Sequence, residues 1–351
     1  MHIQGKDRKV VFLMGAGATR GAIKHVMHNG KRVKPPLNGD FFDVAHTFAR
    51  GCGTNSPDMK RYQSLDRFFK NTLPFSCQPT MEEAFSNLYI AKDFPDIYRT
   101  GRGRTQQPGH RSEIEEFLRL TFNLLTLLDQ KTNTSVYDKL ITSLSGSDTI
   151  ITLNYDTLLD SALVRAGWDP RKGYLLGGTE QKIEWKPKER IANSSLAGVK
   201  LLKLHGSLNW YVRGNFHSLS RVFENKPVKI GQPRRNEIRG HIRQIVPPIY
   251  GKFFGHSHWR QLWKKGYEAL CDAEILVVIG CSLVDTDFHL RLLLSRTSQY
   301  RKSFGNLFRR LILVDNSVQV RRKWKAVLKG TRQEVSEYKR FEEFVSKELR
   351  I

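Results

Sequence analysis

Lys9-Val10-Val11-Phe12-Leu13-Met14, followed by Gly15-Ala16-Gly17-Ala18-Thr19, is the stretch that decides the fold. An apolar run without alternation reads as a strand buried on both faces, which is how strands of a parallel sheet look. The glycines after it allow a tight turn, and helical spacing can follow. Strands of the same kind are expected at 148–153, 199–204, 274–279 and 311–314, with helices near 158–166, 258–270 and 288–294. Strands followed by helices predict a doubly wound α/β domain with a parallel sheet.

Between the first strand unit and the second, the pattern turns helical. Thr80 stands three residues before Glu83, the spacing of a capping box, and Phe117, Leu120, Leu124, Leu125 and Leu128 form one apolar helical face. That face reads as core. The expected organisation is a Rossmann domain built from residues 1–40 and 146–351, with a helical insertion over 41–145. The stretches 29–40, 172–199 and 213–247 are rich in Gly, Pro and charge and read as loops or small insertions. The segment after Arg321 reads as helical and basic, fit either to pack on the sheet or to mediate assembly.

Hydrophobic content of 39% in 351 residues is enough for a large globular core and argues against disorder. No apolar run approaches the roughly 20 residues that cross a bilayer, and the start of the chain does not read as a cleavable signal. The expectation is a cytoplasmic protein with no membrane contact. Cys52, Cys77, Cys271 and Cys281 lie far apart, without a Cys-x-x-Cys pair, and read as free thiols; no metal site is expected. Fifty-eight Lys and Arg against 34 Asp and Glu leave a net charge of +24. Such a field attracts polyanions, including nucleic acid without sequence preference, although a merely solvated basic surface explains it equally well.

Four polar blocks stand at the C-terminal ends of expected strands, the edge where open parallel sheets bind ligands. In Gly15-Ala16-Gly17-Ala18-Thr19 the glycines allow backbone to approach a pyrophosphate, or simply make a turn. Thr152-Leu153-Asn154-Tyr155-Asp156 offers polar groups to a ligand, or caps the next helix. Lys203-Leu204-His205-Gly206 puts a histidine at an open strand end, where it can work as a base. In Gly280-Cys281-Ser282-Leu283-Val284-Asp285-Thr286-Asp287, Ser282 and backbone N–H groups suit a phosphate. Asp285 or Asp287 can cap a helix or hold a ribose, and the spacing does not choose between them.

In this order the blocks resemble the sirtuin family, and more closely its zinc-less bacterial branch found in antiphage defence. The glycine turn is similar to that family's Gly-Ala-Gly motif, residues 152–156 to its Asn-x-Asp motif, His205-Gly206 to its histidine motif, and Gly280-Cys281-Ser282 to its Gly-x-Ser motif. Leu311 to Asn316 resembles the late strand that ends at the adenosine ribose. The chain departs from the deacetylases in lacking the two Cys-x-x-Cys pairs of their zinc module.

The resemblance implies a sirtuin-like Rossmann fold, NAD as substrate without zinc, and hydrolysis of the nicotinamide–ribose bond in an effector of antiphage defence. It implies catalytic roles for Asn154, His205 and Asp156. Gly15, Ala16, Gly17, Thr19, Gly280, Ser282 and Asp285 would hold the cofactor, and Asp315 or Asn316 the adenosine ribose. A homo-oligomer is expected, together with a separate ATPase or sensor protein to restrain the activity. The alternatives are an NAD-dependent deacylase or ADP-ribosyl transferase, or a basic nucleic-acid-binding subunit with NAD as a ligand.

Overall fold

The computed structural model describes residues 8–72, 78–93, 110–130, 134–176, 182–183, 194–213, 219–222, 241–246, 257–285, 287–328 and 333–349. Strand β1 (Val10–Met14) is buried throughout and leads through Gly15 into helix α1 (Ala16–Ala22). Strands β2 (Val26–His28) and β3 (Lys31–Val33) then form an antiparallel hairpin. Their turn is Asn29-Gly30, both at positive φ (45° and 78°), as a two-residue hairpin turn requires. Part of the expected loop 29–40 is therefore ordered by its Asn-Gly pair.

Helices α2 (Phe41–Cys52), α3 (Pro57–Thr72), α4 (Met81–Asp93) and α5 (His110–Gln130) make the inserted block. Phe41, Phe42, Phe69, Phe85 and Phe117 pack ring on ring at its centre, with centroids 4.4–6.5 Å apart. The capping box forms at the start of α4, where Thr80 and Glu83 exchange hydrogen bonds of 2.8 and 3.2 Å. Helix α6 (Ser135–Thr142) packs on α1 and belongs with the layers around the sheet.

Strand β4 (Thr149–Thr152) returns to the sheet, followed by α7 (Leu158–Arg165), the single turn α8 (Pro170–Gly173) and the short strand β5 (Lys182–Ile183). Next come β6 (Lys200–Lys203), β7 (Gly206–Arg213), β8 (Leu219–Val222) and β9 (His241–Ile245). The chain closes with α9 (Ser257–Asp272), β10 (Ile275–Ile279), α10 (Phe288–Ser303), β11 (Arg310–Val314), α11 (Val318–Val327), β12 (Glu334–Tyr338) and α12 (Phe341–Glu348).

Six strands form one parallel sheet in the order β12-β11-β10-β1-β4-β6. From β1 the chain builds outward through β4 and β6, then crosses back to build β10, β11 and β12 on the other side. The topological switch point therefore lies between β1 and β10, paired in register from Val10↔Ile275 to Met14↔Ile279. This is the expected doubly wound Rossmann architecture, with a helical block after the first strand–helix unit.

Two readings need correction. The stretches 172–199 and 213–247, read as loops or small insertions, contain β5, β8 and β9, and these join β7, for which no strand was expected, in a second sheet, β5-β8-β7-β9. Gly206 makes the corner between the sheets at φ 86°. The C-terminal segment is not wholly helical, since β12 is an edge strand, Glu334-Val335-Ser336-Glu337-Tyr338, whose polar alternation hid it.

Beside the second sheet a charged side chain is buried. Lys203 Nζ lies 2.9 Å from Asp160 Oδ2 and 2.5 Å from the Asp156 carbonyl oxygen; Lys203 and Asp160 are each 1% exposed. The Tyr174 hydroxyl donates to Asp160 Oδ1 at 2.5 Å. Removing one partner strands the other charge without water. Lys203→Met is therefore expected to lower unfolding free energy by about 3–5 kcal/mol. The double variant Lys203→Met/Asp160→Leu should lose less than Lys203→Met alone, as read by urea denaturation.

Candidate functional site

The switch point opens into a cleft of about 860 Å³. All four polar blocks line it: Gly15, Ala16, Gly17 and Thr19; Asn154 and Asp156; His205; and Gly280, Ser282 and Asp287. Asp315 and Asn316, beyond the end of β11, line it too. Asp285 does not. Its carboxylate is 67% exposed and pairs with Arg291 at 3.0 Å and Lys323 at 3.6 Å. Of the two aspartates that spacing left open, Asp287 is the one that lines the cleft.

The glycines work by closeness. A Cβ on Gly15 would lie 2.6 Å from the Gly280 carbonyl oxygen, and one on Gly17 would lie 2.7 Å from Gly280 Cα. One on Gly280, which holds φ 54°, would lie 2.2 Å from Ala18 N. Three amides of the turn are already bonded within the protein: Gly15 N to the Ile279 carbonyl, Gly17 N to that of Gly280, and Ala18 N to that of Gly15. The turn therefore forms a smooth, narrow floor more than a ring of free donors, and the expected amide cradle is sharpened accordingly.

On that floor stands a hydrogen-bonded polar cluster. The Asn154 amide nitrogen donates to the Gly15 carbonyl and to Thr19 Oγ1, both at 3.0 Å. Thr19 Oγ1 in turn donates to Asp156 Oδ2 at 2.9 Å and lies 3.2 Å from the Tyr137 hydroxyl. With both amide hydrogens committed, Asn154 has its Oδ1 left to offer a ligand, an assignment that follows from the network itself. Burial raises the Asp156 carboxyl above its usual range, against the opposing pull of the Lys203 ammonium.

His205 is buried at the junction of β6 and β7. Its Nε2 lies 3.2 Å from Asp287 Oδ2, while Asp287 Oδ1 accepts the Leu290 N–H at 3.2 Å and caps α10. Its carbonyl accepts the Val246 N–H at 2.8 Å, and the Tyr155 hydroxyl donates to the Val246 carbonyl at 2.8 Å. Backbone and ring are therefore both held. Burial also raises the Asp315 carboxyl, whose Oδ1 accepts the Ser317 N–H at 2.8 Å. Burial pushes the Cys281 thiol up to about 12, so it stays protonated and is no nucleophile at neutral pH.

A family model described as a SIR2-like domain matches residues 148–329, more than half of the chain. The chain belongs to the SIR2-like family. Solved structures similar to this SIR2-like chain include a Sir2 homolog–NAD complex, 11% identical, covering 97% of this chain and 88% of that one at a TM-score of 0.45. Another is a Sir2 bound to acetylated peptide, 14% identical, covering 97% and 91% at a TM-score of 0.42. No curated protein matches the sequence.

Sequence reasoning missed two residues in and behind this SIR2-like cleft. Tyr137, buried behind Thr19, sits on an ordinary amphipathic helix, and nothing in its sequence surroundings announces a polar contact. Arg20 lines the cleft; it grips Asp40 at 2.5 and 2.9 Å and the Pro35 carbonyl at 2.7 Å through Nε, fastening the 35–40 segment to α1. Its position one residue after the glycine block was the available signal. Among the described residues no group of three or more His, Cys, Asp or Glu is placed to hold a metal ion, and no helix is long and apolar enough to cross a membrane.

The glycine contact gives a direct test. Gly280→Ala adds positive-φ strain to a backbone clash and is expected to cost about 2–5 kcal/mol in urea denaturation. Gly30→Ala, also at positive φ but with nothing within 4 Å of the added Cβ, should cost only about 1 kcal/mol.

Proposed function

We propose that this chain is an NAD hydrolase that releases nicotinamide and ADP-ribose. The observation that carries the reading is the meeting of Asn154 and the His205–Asp287 pair in one cleft, above a glycine floor at the switch point. The absence of paired cysteines from the sequence supports hydrolysis over deacylation, because the resemblance ties the zinc module to the deacetylases.

Nicotinamide bonded to ribose carries a positive ring nitrogen. When the C1′–N bond breaks, its electron pair neutralises that nitrogen, so no acid is needed for departure. The remaining demands are a fixed pose, support for the electron-poor ribose, and water delivered to C1′. Asn154 Oδ1 accepts a hydrogen bond from that water or from a ribose hydroxyl. His205, with Nε2–H donated to Asp287, keeps its lone pair on Nδ1 and takes the proton lost as water bonds to C1′. Asp287 then faces the imidazolium and steadies it, the logic of a base held by a carboxylate. Asp156 fixes Thr19 and, through it, the Asn154 amide. The glycine floor with Ser282 lies against the diphosphate, and Asp315 and Asn316 take the adenosine ribose.

For the cell, the same reading makes NAD depletion an effector step in antiphage defence, carried out in the cytoplasm by an assembly with further copies or with an ATPase or sensor. Its support is the resemblance to the zinc-less branch. A deacylase or ADP-ribosyl transferase differs in products: O-acyl-ADP-ribose or modified protein in place of free ADP-ribose.

His205→Ala should cut nicotinamide release by about 10²–10⁴-fold with unchanged melting temperature. Asp287→Asn keeps a good helix cap yet loses the charge facing the histidine, and should also fall by at least about 10²-fold. Chromatography of nicotinamide and ADP-ribose checks both. Wild-type rates in folded His205→Ala protein would overturn the assignment.

A further inference from the structure

The segment from residue 288 to 314 contains six cations and no Asp or Glu. Several of the six are engaged, Arg296 by donating to Gln299 Oε1 at 3.2 Å. Arg291 pairs with Asp285, Arg310 with Glu334 and Glu348, and buried Arg301 donates to the Leu270 and Cys271 carbonyls while lying 4.0 Å over the Phe308 ring. Exposed Arg296 and Lys302 have no carboxylate partner among the described residues.

The exposed ridge of α10 that carries Arg296 shows aromatic and apolar groups to solvent. Leu292 is 57% exposed, Tyr300 40% and Phe304 70%. Together with Arg296 they follow the i, i+4 ridge of the helix. The Tyr300 ring lies 4.7 Å from that of Phe304 and 6.3 Å from that of Tyr267 on neighbouring α9. Lys264, one turn before Tyr267 on α9, is exposed beside Glu268. None of these residues lines the cleft, and none has a part in the proposed hydrolysis.

Grouped exposed rings with a cation on the same ridge are what a nucleic-acid single strand needs: bases stack on the rings, and phosphates meet the cation. A second copy meeting this face through its own equivalent would bring Arg296 against Arg296, under a net charge of +24 on each molecule. Duplex DNA keeps its bases stacked inward and makes no use of the rings.

We propose that the exposed ridge of α10, with Tyr267, Tyr300 and Phe304 as stacking groups and Arg296 as a phosphate contact, binds single-stranded nucleic acid. The site is separate from the cleft, and its test does not depend on the hydrolase reading.

The experiment is fluorescence anisotropy of labelled dT20, and of a duplex of the same length, titrated with the full chain over a range of NaCl concentrations. Wild type should prefer dT20. Tyr300→Ala/Phe304→Ala should weaken dT20 at least about tenfold, leaving duplex affinity and salt slope unchanged. Arg296→Ala should lower the slope of log K against log salt for dT20 by about 0.7, the share of one phosphate contact on a single strand. Nicotinamide release and melting temperature, measured on both variants, should match wild type, which separates lost binding from lost fold. Equal affinity for strand and duplex with no effect of the ring substitutions would overturn the proposal in favour of diffuse charge. So would absence of dT20 binding at low salt, or tighter binding of an acidic amphipathic peptide than of dT20 with the same dependence on the rings, which would make this face a protein-docking surface.

Discussion

Everything in the cleft depends on how closely two pieces of backbone approach each other. At the C-terminal ends of β1 and β10, Gly15, Gly17 and Gly280 meet with no room for a methyl group between them. Parallel strands diverge where their chains leave in different directions, and here that divergence starts from a fixed contact. The Gly17 N–H to Gly280 carbonyl bond locks it. The polar groups that follow each strand, Thr19 on one side and Ser282 and Asp287 on the other, consequently line one cleft. Side chains at this floor would have separated them.

Above the floor the polar groups are positioned by one another. Tyr137, Thr19, Asn154 and Asp156 share hydrogen bonds, and Lys203 carries the network from the Asp156 backbone to Asp160 and Tyr174. Elements far apart in sequence, α1, α6, α7, β6 and the end of β4, are thus tied through one chain of donors and acceptors. Buried polar networks fix geometry at an energetic cost when any member is missing. In this chain the network stands directly behind the cleft, where fixed geometry is most useful.

Much of the sheet was legible because a parallel strand buried on both faces has little choice of residue. The apolar runs that contain β1, β4, β6, β10 and β11 all lie in the six-stranded sheet. Strand β12 escaped because an edge strand is half solvated and reads Glu-Val-Ser-Glu-Tyr. Strand β7 escaped because it continues straight from a histidine turn, and a Gly206 corner looks like a loop in one dimension. At the site, the blocks were legible as chemistry on strand ends, whereas their partners were not. That Asp287, not Asp285, faces His205 depends on the direction of the first turn of α10. The contact from Tyr137 depends on tertiary packing across 118 residues of sequence.

The polarity of β12 has a consequence of its own. An open sheet ends in a row of unsatisfied backbone groups, a template on which another molecule's strand can add. Here that rim carries Glu334 and Glu337 among Arg310, Arg321 and Lys325, ion-paired along its length. An incoming strand would have to break those pairs and dehydrate them. Addition of a strand at this border is thereby disfavoured, and the six-stranded sheet ends where its own charges close it.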